Sequence, residues 1–531
     1  MGSQSVRNET LQTTILTAYQ DILGIDLVPL TDSFFSLGGS SLDAVLTCAR
    51  ISEHVGMPIA AADFMKHSSV AKLSDWITAA AKTLAEAPVT LPDLGGAVPL
   101  TTMQVEMLLG RDFMDDVTAG YCVYAWTLRG EVDVETLDRA LQDVHRRHEP
   151  LRAVYARQPQ PCADPAKGRD TVTLELVAAD PDQAVEALRA RLYQPLSIDD
   201  GLIWRACLVD TGDGTTLFGI VVDHIASDGW AESILLSDLS TAYAARLRGL
   251  EPDFGAPAPT MAEVALEELT TLASADIDAQ KDYWLRSHAG MGALSFPVGD
   301  DDDREDNGAA TIDFPIDPHL VDACAAAARK CQTTPWAVYL TGYAEALRRV
   351  SGVSDFGLSM PVRRRYGPKA VGTVANMASL MWLRMRPAAG LSPAEAIAAC
   401  WEVAEAGLAN SDVSIMEIVP HLMSELGPAA PLPQSVFNLL ENPPADIVFP
   451  GVEATRLDTN WLNPVGELLA ELMPNAPKPG ATLRLKFQTR FLSEEQAGEL
   501  GRTFVTVLGE LSGLYAWGGP GQAGPGPLGL C

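Results

Sequence analysis

The stretch Val222–Trp230, "VDHIASDGW", ends an apolar run and begins an amphipathic one. Ahead of it, Thr215–Val222, "TTLFGIVV", is apolar on both faces, which is the pattern of a strand buried inside a sheet. Beyond it, Trp230, Ile234, Leu235, Leu239 and Leu247 follow helical spacing. His224 is therefore expected at the end of a buried strand, just before a loop and a helix. An imidazole poised near physiological pH can accept a proton from an amine or alcohol, and an aspartate four residues later, Asp228, can hold the loop in shape. A His-x-x-x-Asp-Gly pattern alone is a weak signal, so the surrounding text has to separate a packed histidine from a reacting one.

The chain of 531 residues is 47% hydrophobic and 20% charged, which suits a globular protein with several packed cores. Lys and Arg total 38 against 69 Asp and Glu, and the formal net charge of −31 argues against a nucleic-acid partner. Cys48, Cys122, Cys162, Cys207, Cys324, Cys331, Cys400 and Cys531 form no close pair and no metal-ligand spacing. Reduced thiols and no metal centre are expected. The opening "MGSQSVRNETLQ" lacks a basic-then-apolar leader, and no run reaches the roughly 20 apolar residues of a membrane span. The expected location is the cytoplasm, with no membrane partner. The acidic stretch 299–308, "GDDDDREDNG", reads as a solvated loop.

Helical patterns at 10–24, 41–55, 60–65 and 70–81 make a small bundle, expected to occupy residues 1–84. Residues 85–98, within the Pro/Gly/Ala-rich text "AEAPVTLPDLGGAVP", read as a linker. From there on, strand-like runs such as "ATLRLKF" alternate with helical ones such as "VETLDRALQDVHRR" and "TPWAVYLTGYAEALRRVSG", the last with Thr334 as cap and Pro335 in its first turn. This α/β region is too long for one core, and two lobes are expected, 99–275 and 276–516. The Gly/Pro-rich residues 517–531 are expected to form a flexible tail.

In "DSFFSLGGSSLDAV", Asp32–Val45, two glycines permit a tight turn, and the serine after them opens a helix, where unpaired N–H groups and the helix dipole favour a phosphate. Taken alone, Ser40 or Ser41 is an N-cap. The arrangement Asp32-x-Phe34-Phe35-x-Leu37-Gly38-Gly39-x-Ser41-Leu42 in a bundle of this size resembles the peptidyl carrier domains of nonribosomal peptide synthetases. That resemblance implies a covalent 4'-phosphopantetheine on Ser41, attached by a phosphopantetheinyl transferase and bearing an acyl or aminoacyl thioester.

The remainder resembles the condensation domains of the same synthetases over roughly residues 99 to 516. It carries, in order, "VPLTTMQVEML", "RRHEPLRAVY", "VDHIASDGW", "QKDYW" and "VGTVANMASLMWLRM". The fold implied is that of chloramphenicol acetyltransferase doubled in one chain, a two-lobed α/β V with a tunnel at the junction. His224 maps onto the family's catalytic histidine, Asp228 onto its aspartate as a structural ion-pair partner, with Arg152 as one suggested mate, and Gly229 onto its glycine, with an N–H for the oxyanion. The family's preceding histidine is Asp223 here, which points to altered substrate choice. Asp223 and Asp228 also reproduce the Asp-x-x-x-x-Asp of heterocyclisation domains, but Ala231 stands where those have serine. The loop "PVRRRYG", with Arg363, Arg364 and Arg365, suits either a phosphate contact or pairing with the acidic surface.

The implied function is transfer of a carrier-bound donor acyl or aminoacyl group to an amine, forming an amide. An upstream loading or adenylation module supplies the donor. The acceptor is a downstream carrier or a free small-molecule nucleophile. Release as an ester or amide, heterocyclisation, and a non-catalytic recruiting platform are the alternatives.

Overall fold

The computed structural model describes residues 2–39, 41–86, 89–111, 117–158, 160–297, 308–426, 433–440, 446–459, 466–475 and 478–517. Most of the acidic stretch and nearly all of the C-terminal tail lie outside these residues.

Four helices form the amino-terminal bundle: α1 Gly2–Leu23, α2 Ser41–Val55, α3 Ala61–Lys66 and α4 Val70–Glu86. Ile15, Tyr19, Phe34, Cys48, Ile51, Phe64 and Leu73 close its core. Phe34 is the pivot, with its ring edge-on to Tyr19 at 4.8 Å and to Phe64 at 5.2 Å. Helix α4 runs five residues past the apolar pattern that marks it in the sequence, because "AKTLAE" is rich in strong helix formers that need no further packing.

The strands of the α/β region are, in chain order, β1 Val98–Pro99, β2 Tyr121–Arg129, β3 Val154–Ala156, β4 Cys162–Asp164, β5 Leu174–Ala178, β6 Trp204–Asp210 and β7 Thr215–Asp223. They continue as β8 Ala309–Ile316, β9 Phe356–Arg363, β10 Ala378–Met385, β11 Ser435–Leu439, β12 Glu453–Arg456, β13 Leu468–Pro474 and β14 Ala481–Gln488. The first lobe holds a five-stranded sheet in the order β12-β2-β7-β6-β5, beside a small sheet β1-β4-β3. The second lobe holds a six-stranded sheet, β10-β9-β11-β13-β14-β8.

β7 is the central strand of the first sheet, and its apolar run is explained by burial on both sides. Phe218, Ile220 and Val222 enter the core under the helices Val134–Arg147 and Gly229–Leu247. Leu217 and Val221 enter the core under the helix Ala184–Leu192. A third large core, with Tyr343, Phe437, Leu483 and Phe504, fills the second lobe.

The chain does not divide cleanly at residue 275. β12, deep in the second half, pairs antiparallel with β2 of the first sheet, and Ile447 and Phe449 beside it join the first lobe's core. Four residues of strand carry too little pattern to announce such a crossover. Thr334 stands at the N-cap of the helix Pro335–Ser351 in extended geometry, but its side chain makes no capping bond.

The bundle rests against the second lobe. Phe35 meets Trp401 at 6.0 Å between ring centroids, and the Ile59 N–H donates to the Tyr366 carbonyl at 3.2 Å. No described helix is long and apolar enough to cross a membrane.

Candidate active site at the lobe junction

The turn after β7 is built from its own side chains. The Asp223 carboxylate accepts the Ile225 N–H at 3.1 Å, and its carbonyl accepts the Ala226 N–H at 2.9 Å. The His224 N–H donates across to the Gly120 carbonyl at 2.9 Å. This places His224 just off the strand end, half-buried, with its Nδ1 2.6 Å from the Ser227 carbonyl oxygen. Two lone pairs would repel at that distance, so Nδ1 carries a proton and donates it. Nε2 is then the nitrogen free for chemistry. The Asn376 amide nitrogen stands 3.0 Å from Nδ1 and closes the ring in from the second lobe. Burial pulls the imidazole pKa down, but the adjoining Cys122 sulfur, the Ser227 carbonyl and Asp228 favour its charged form, and the balance raises it to about 10.

Asp228 is the joint between the lobes. It caps the helix Gly229–Leu247, accepting from Trp230 N at 3.0 Å and Ala231 N at 2.7 Å. From the second lobe it accepts Arg365 Nη2 at 2.8 Å and Met377 N at 2.9 Å. Burial opposes its charge, but Arg365 and the N–H groups of Ala231 and Met377 outweigh burial and hold the carboxyl below the usual range. The cap uses the N–H groups of Trp230 and Ala231, so Gly229 keeps its own outside that cap, and no atom lies within 4 Å of where a Cβ would sit.

Two expectations are corrected here. Arg152 does not pair with Asp228; its Nη1 donates to the Pro165 carbonyl at 2.8 Å, and Arg365 is the partner. Arg364 and Arg365 face neither a phosphate nor the acidic surface, being 1% and 2% exposed. Arg364 donates to the Tyr366 hydroxyl at 2.7 Å and to the Asp412 carbonyl, and Arg365 also binds the carbonyls of Thr373 and Ala375, both at 3.0 Å. A triple-arginine run reads as surface, yet two of its members are buried because backbone carbonyls, a tyrosine hydroxyl and one carboxylate take most of their donors, leaving only Arg364 Nη1 and Arg365 Nε unpartnered.

Asp223, in place of a histidine, is ion-paired with Arg111 at 2.5 Å and is 2% exposed. The other quoted segments frame the site rather than enter it. Gln104 completes a capping box with Thr101 and reaches the Ile225 carbonyl at 3.4 Å. His148 and Arg147 share Asp238, each at 2.8 Å, and Trp284 donates to the Asn410 carbonyl at 2.7 Å. Cys122, Tyr124, Ser227 and Asn376 join the site without having been assigned a role from sequence. Asn376 lies in the quoted segment "VGTVANMASLMWLRM", four residues after Gly372, which was the available signal; nothing in the sequence marks the other three.

On the bundle, Ser41 is the first residue of α2. The paired glycines before it have separate reasons. Gly38 has φ +101°, and a Cβ on Gly39 would stand 2.2 Å from the Phe34 ring. Together they bring the chain close over the aromatic core and deliver Ser41 to a helix amino terminus, a setting that suits a phosphodiester.

Two sheet-bearing lobes seamed by a strand-end histidine, with a crossover strand and a helical bundle in front, define the two-lobed acyltransferase fold of the chloramphenicol acetyltransferase type. Solved structures agree with it at the level of fold. The X-domain from teicoplanin biosynthesis, in its complex with OxyB, superposes with a TM-score of 0.67 at 22% identity, covering 80% of this chain and 94% of its own. The first condensation domain of the CDA synthetase gives 0.64 at 21% identity, covering 79% and 97%.

The family model of the condensation domain matches residues 95–446, and that of the phosphopantetheine attachment site matches residues 13–77. The chain belongs to the condensation-domain family, with a carrier domain of the kind that bears covalent 4'-phosphopantetheine ahead of it. It is 26% identical over 505 residues to phosphinothricin tripeptide synthetase PhsB of Streptomyces viridochromogenes, covering 92% of this chain and 42% of that protein. It is 26% identical over 390 residues to nonribosomal peptide synthetase kk1B of Curvularia clavata, covering 71% and 3%. The chain thus spans less than half the length of these relatives.

Proposed function

We propose that this carrier–condensation pair transfers a donor acyl or aminoacyl group, presented on Ser41, to an amine, forming an amide bond. The observation that carries the reading is the His224 ring, fixed through Nδ1 on the Ser227 carbonyl at 2.6 Å, with Nε2 free at the seam of the lobes. When bound to Ser41, the 4'-phosphopantetheine arm supplies the thiol that holds the donor as a thioester. The chain's own residues do the rest. His224, charged below about pH 10, orients the amine, gives its proton to the departing sulfur and regains one from the amine nitrogen as the amide forms. The Gly229 N–H, which lies outside the Asp228 cap, receives the developing oxyanion. Asp228 and Arg365 fix the loop that holds both.

Heterocyclisation is the weaker reading, because Asp223 is committed to Arg111 and Asp228 to Arg365, so the two carboxylates do not converge on one point. The donor arrives from an upstream loading or adenylation module after a phosphopantetheinyl transferase has modified Ser41. The acceptor is an amine on a downstream carrier or a free small amine or alcohol. Intact-mass measurement on a chain loaded with aminoacyl groups, offered carrier-bound and free acceptors, tests the proposal. Transfer by the wild type that is lost in His224→Ala supports it, and equal persistence of the loaded group in both across the acceptor panel refutes it.

A further inference from the structure

β12 gives the second half of the chain a foothold in the first sheet, paired with β2 so that Arg456 stands opposite Trp126. Tyr124 and Trp126, two residues apart on β2, share one face of that strand. The Arg456 guanidinium lies over both rings, 5.7 Å and 5.6 Å from their centroids. Its Nη2 donates to Glu232 Oε1 at 2.5 Å, in the first turn of the helix that Asp228 caps. A flat cation held by a carboxylate and seated on two ring faces fixes the orientation of those rings. Trp126 is tied down again through Nε1, which donates to Asp446 Oδ1 at 2.5 Å.

Tyr124 carries this constraint into the site. Its hydroxyl stands 3.0 Å from the Ser227 hydroxyl, and the two residues are 5% and 0% exposed. Ser227 is the residue whose carbonyl takes the His224 Nδ1 proton at 2.6 Å. Were the Tyr124 ring to turn away, a buried hydroxyl on the catalytic loop would lose its partner, and the loop would shift to satisfy it. The carbonyl that orients His224 belongs to the same residue and would move with it.

We infer that Arg456 is a positioning residue for His224, acting from the crossover strand through the Tyr124 ring and the Ser227 hydroxyl. The inference rests on the function proposed above and names what steadies the histidine of that site. Arg456 moves no proton. It makes the aim of the His224 ring depend on a strand that the second half of the chain lends to the first sheet, so the two halves must stay joined for the histidine to be set.

The test reads His224 directly, in the full chain labelled with 15N-histidine. A proton in so short a hydrogen bond resonates far downfield and exchanges slowly with water, and the His224 signal is the one missing from His224→Ala. Tyr124→Phe keeps the ring beneath Arg456 and deletes only the hydroxyl. It is expected to move that proton upfield, to speed its exchange about tenfold and to slow single-turnover transfer from Ser41 about tenfold, with the half-saturating acceptor concentration unchanged. Arg456 is removed together with its partner, as Glu232→Gln/Arg456→Gln, so that no buried charge is stranded, and the same shift and loss are expected. Adding Tyr124→Phe to that pair is expected to cost nothing more, because the changes break one line of contacts. Melting curves establish that each variant is folded. An unmoved proton in Tyr124→Phe or in the charge-paired variant overturns the inference, and so do losses that multiply when the two are combined. Slower transfer with a wild-type proton assigns Arg456 a purely structural role and also overturns it. The proton is read without substrate, so a wild-type chain that transfers nothing to any acceptor counts against the condensation reading and leaves the positioning of His224 to be decided by the spectrum.

Discussion

A single carbonyl, that of Ser227, fixes the His224 tautomer and so which ring nitrogen is left for the proposed chemistry. The imidazole pKa is raised to about 10, so the charged ring is present below that value and is lost as pH rises through it. The rate of transfer to an amine should therefore fall on the alkaline side near pH 10. Cys122→Ala removes a principal support of the charged form and should move that descending limb toward lower pH, read from a rate profile in single-turnover assays. Asp228 has the opposite sign. Its carboxyl is held low, so its contribution to stability is present above the ordinary carboxylate range and is lost as pH falls through it. Asp228→Asn strands the buried Arg365 and should cost about 3 kcal/mol in denaturant unfolding. Asp223→His, which restores the family's residue, should cost about 2 kcal/mol because it strands Arg111, and Arg111→Gln should recover part of that loss. His224, Asp228 and Gly229 stood out in the sequence because strand, loop and helix patterns converge on them. Arg365 did not, since an ion pair across 137 residues leaves no local trace.

Among the elements, the loop between β9 and β10 touches both the carrier and the strand-end histidine. Its Tyr366 carbonyl accepts from the carrier's Ile59, its Arg365 and Met377 bind Asp228, and its Asn376 stands on His224. Trp230 Nε1 ties down the same loop at the Val371 carbonyl, 2.9 Å away. In the sequence this loop is a basic run followed by a family signature, and neither conveys that it folds inward to satisfy buried donors. β7, by contrast, was legible in full, because burial on both faces forces an unbroken apolar run. The double glycine before Ser41 was legible as a turn, whereas the contact with Phe34 required the fold. Gly39→Ala drives a methyl into that ring and should destabilise the carrier by about 2 kcal/mol, measured by its melting within the full chain.

For the molecule as a whole, the carrier sits on the condensation domain through a contact that is only partly satisfied. Phe35 packs on Trp401, but Asp63 of the carrier faces Asp412 of the second lobe, and each keeps one buried oxygen without a partner. Burial and the Asp412 charge raise the Asp63 carboxyl to about 6, so docking should be stronger in acid and weaken as pH rises through that value. Asp63→Asn should tighten docking at neutral pH, seen as slower hydrogen exchange along α3 and around Trp401. A carrier that must deliver its cargo and then leave has use for an interface of this kind. The most direct test of the account follows the acyl group loaded on Ser41, by intact-mass spectrometry in single turnover with an aminoacyl acceptor, in the wild type and in His224→Ala. The account predicts loss of the group from the carrier with matching gain on the acceptor, slowed at least a hundredfold, or about 2.7 kcal/mol, in the variant. Equal rates in the two chains would contradict it.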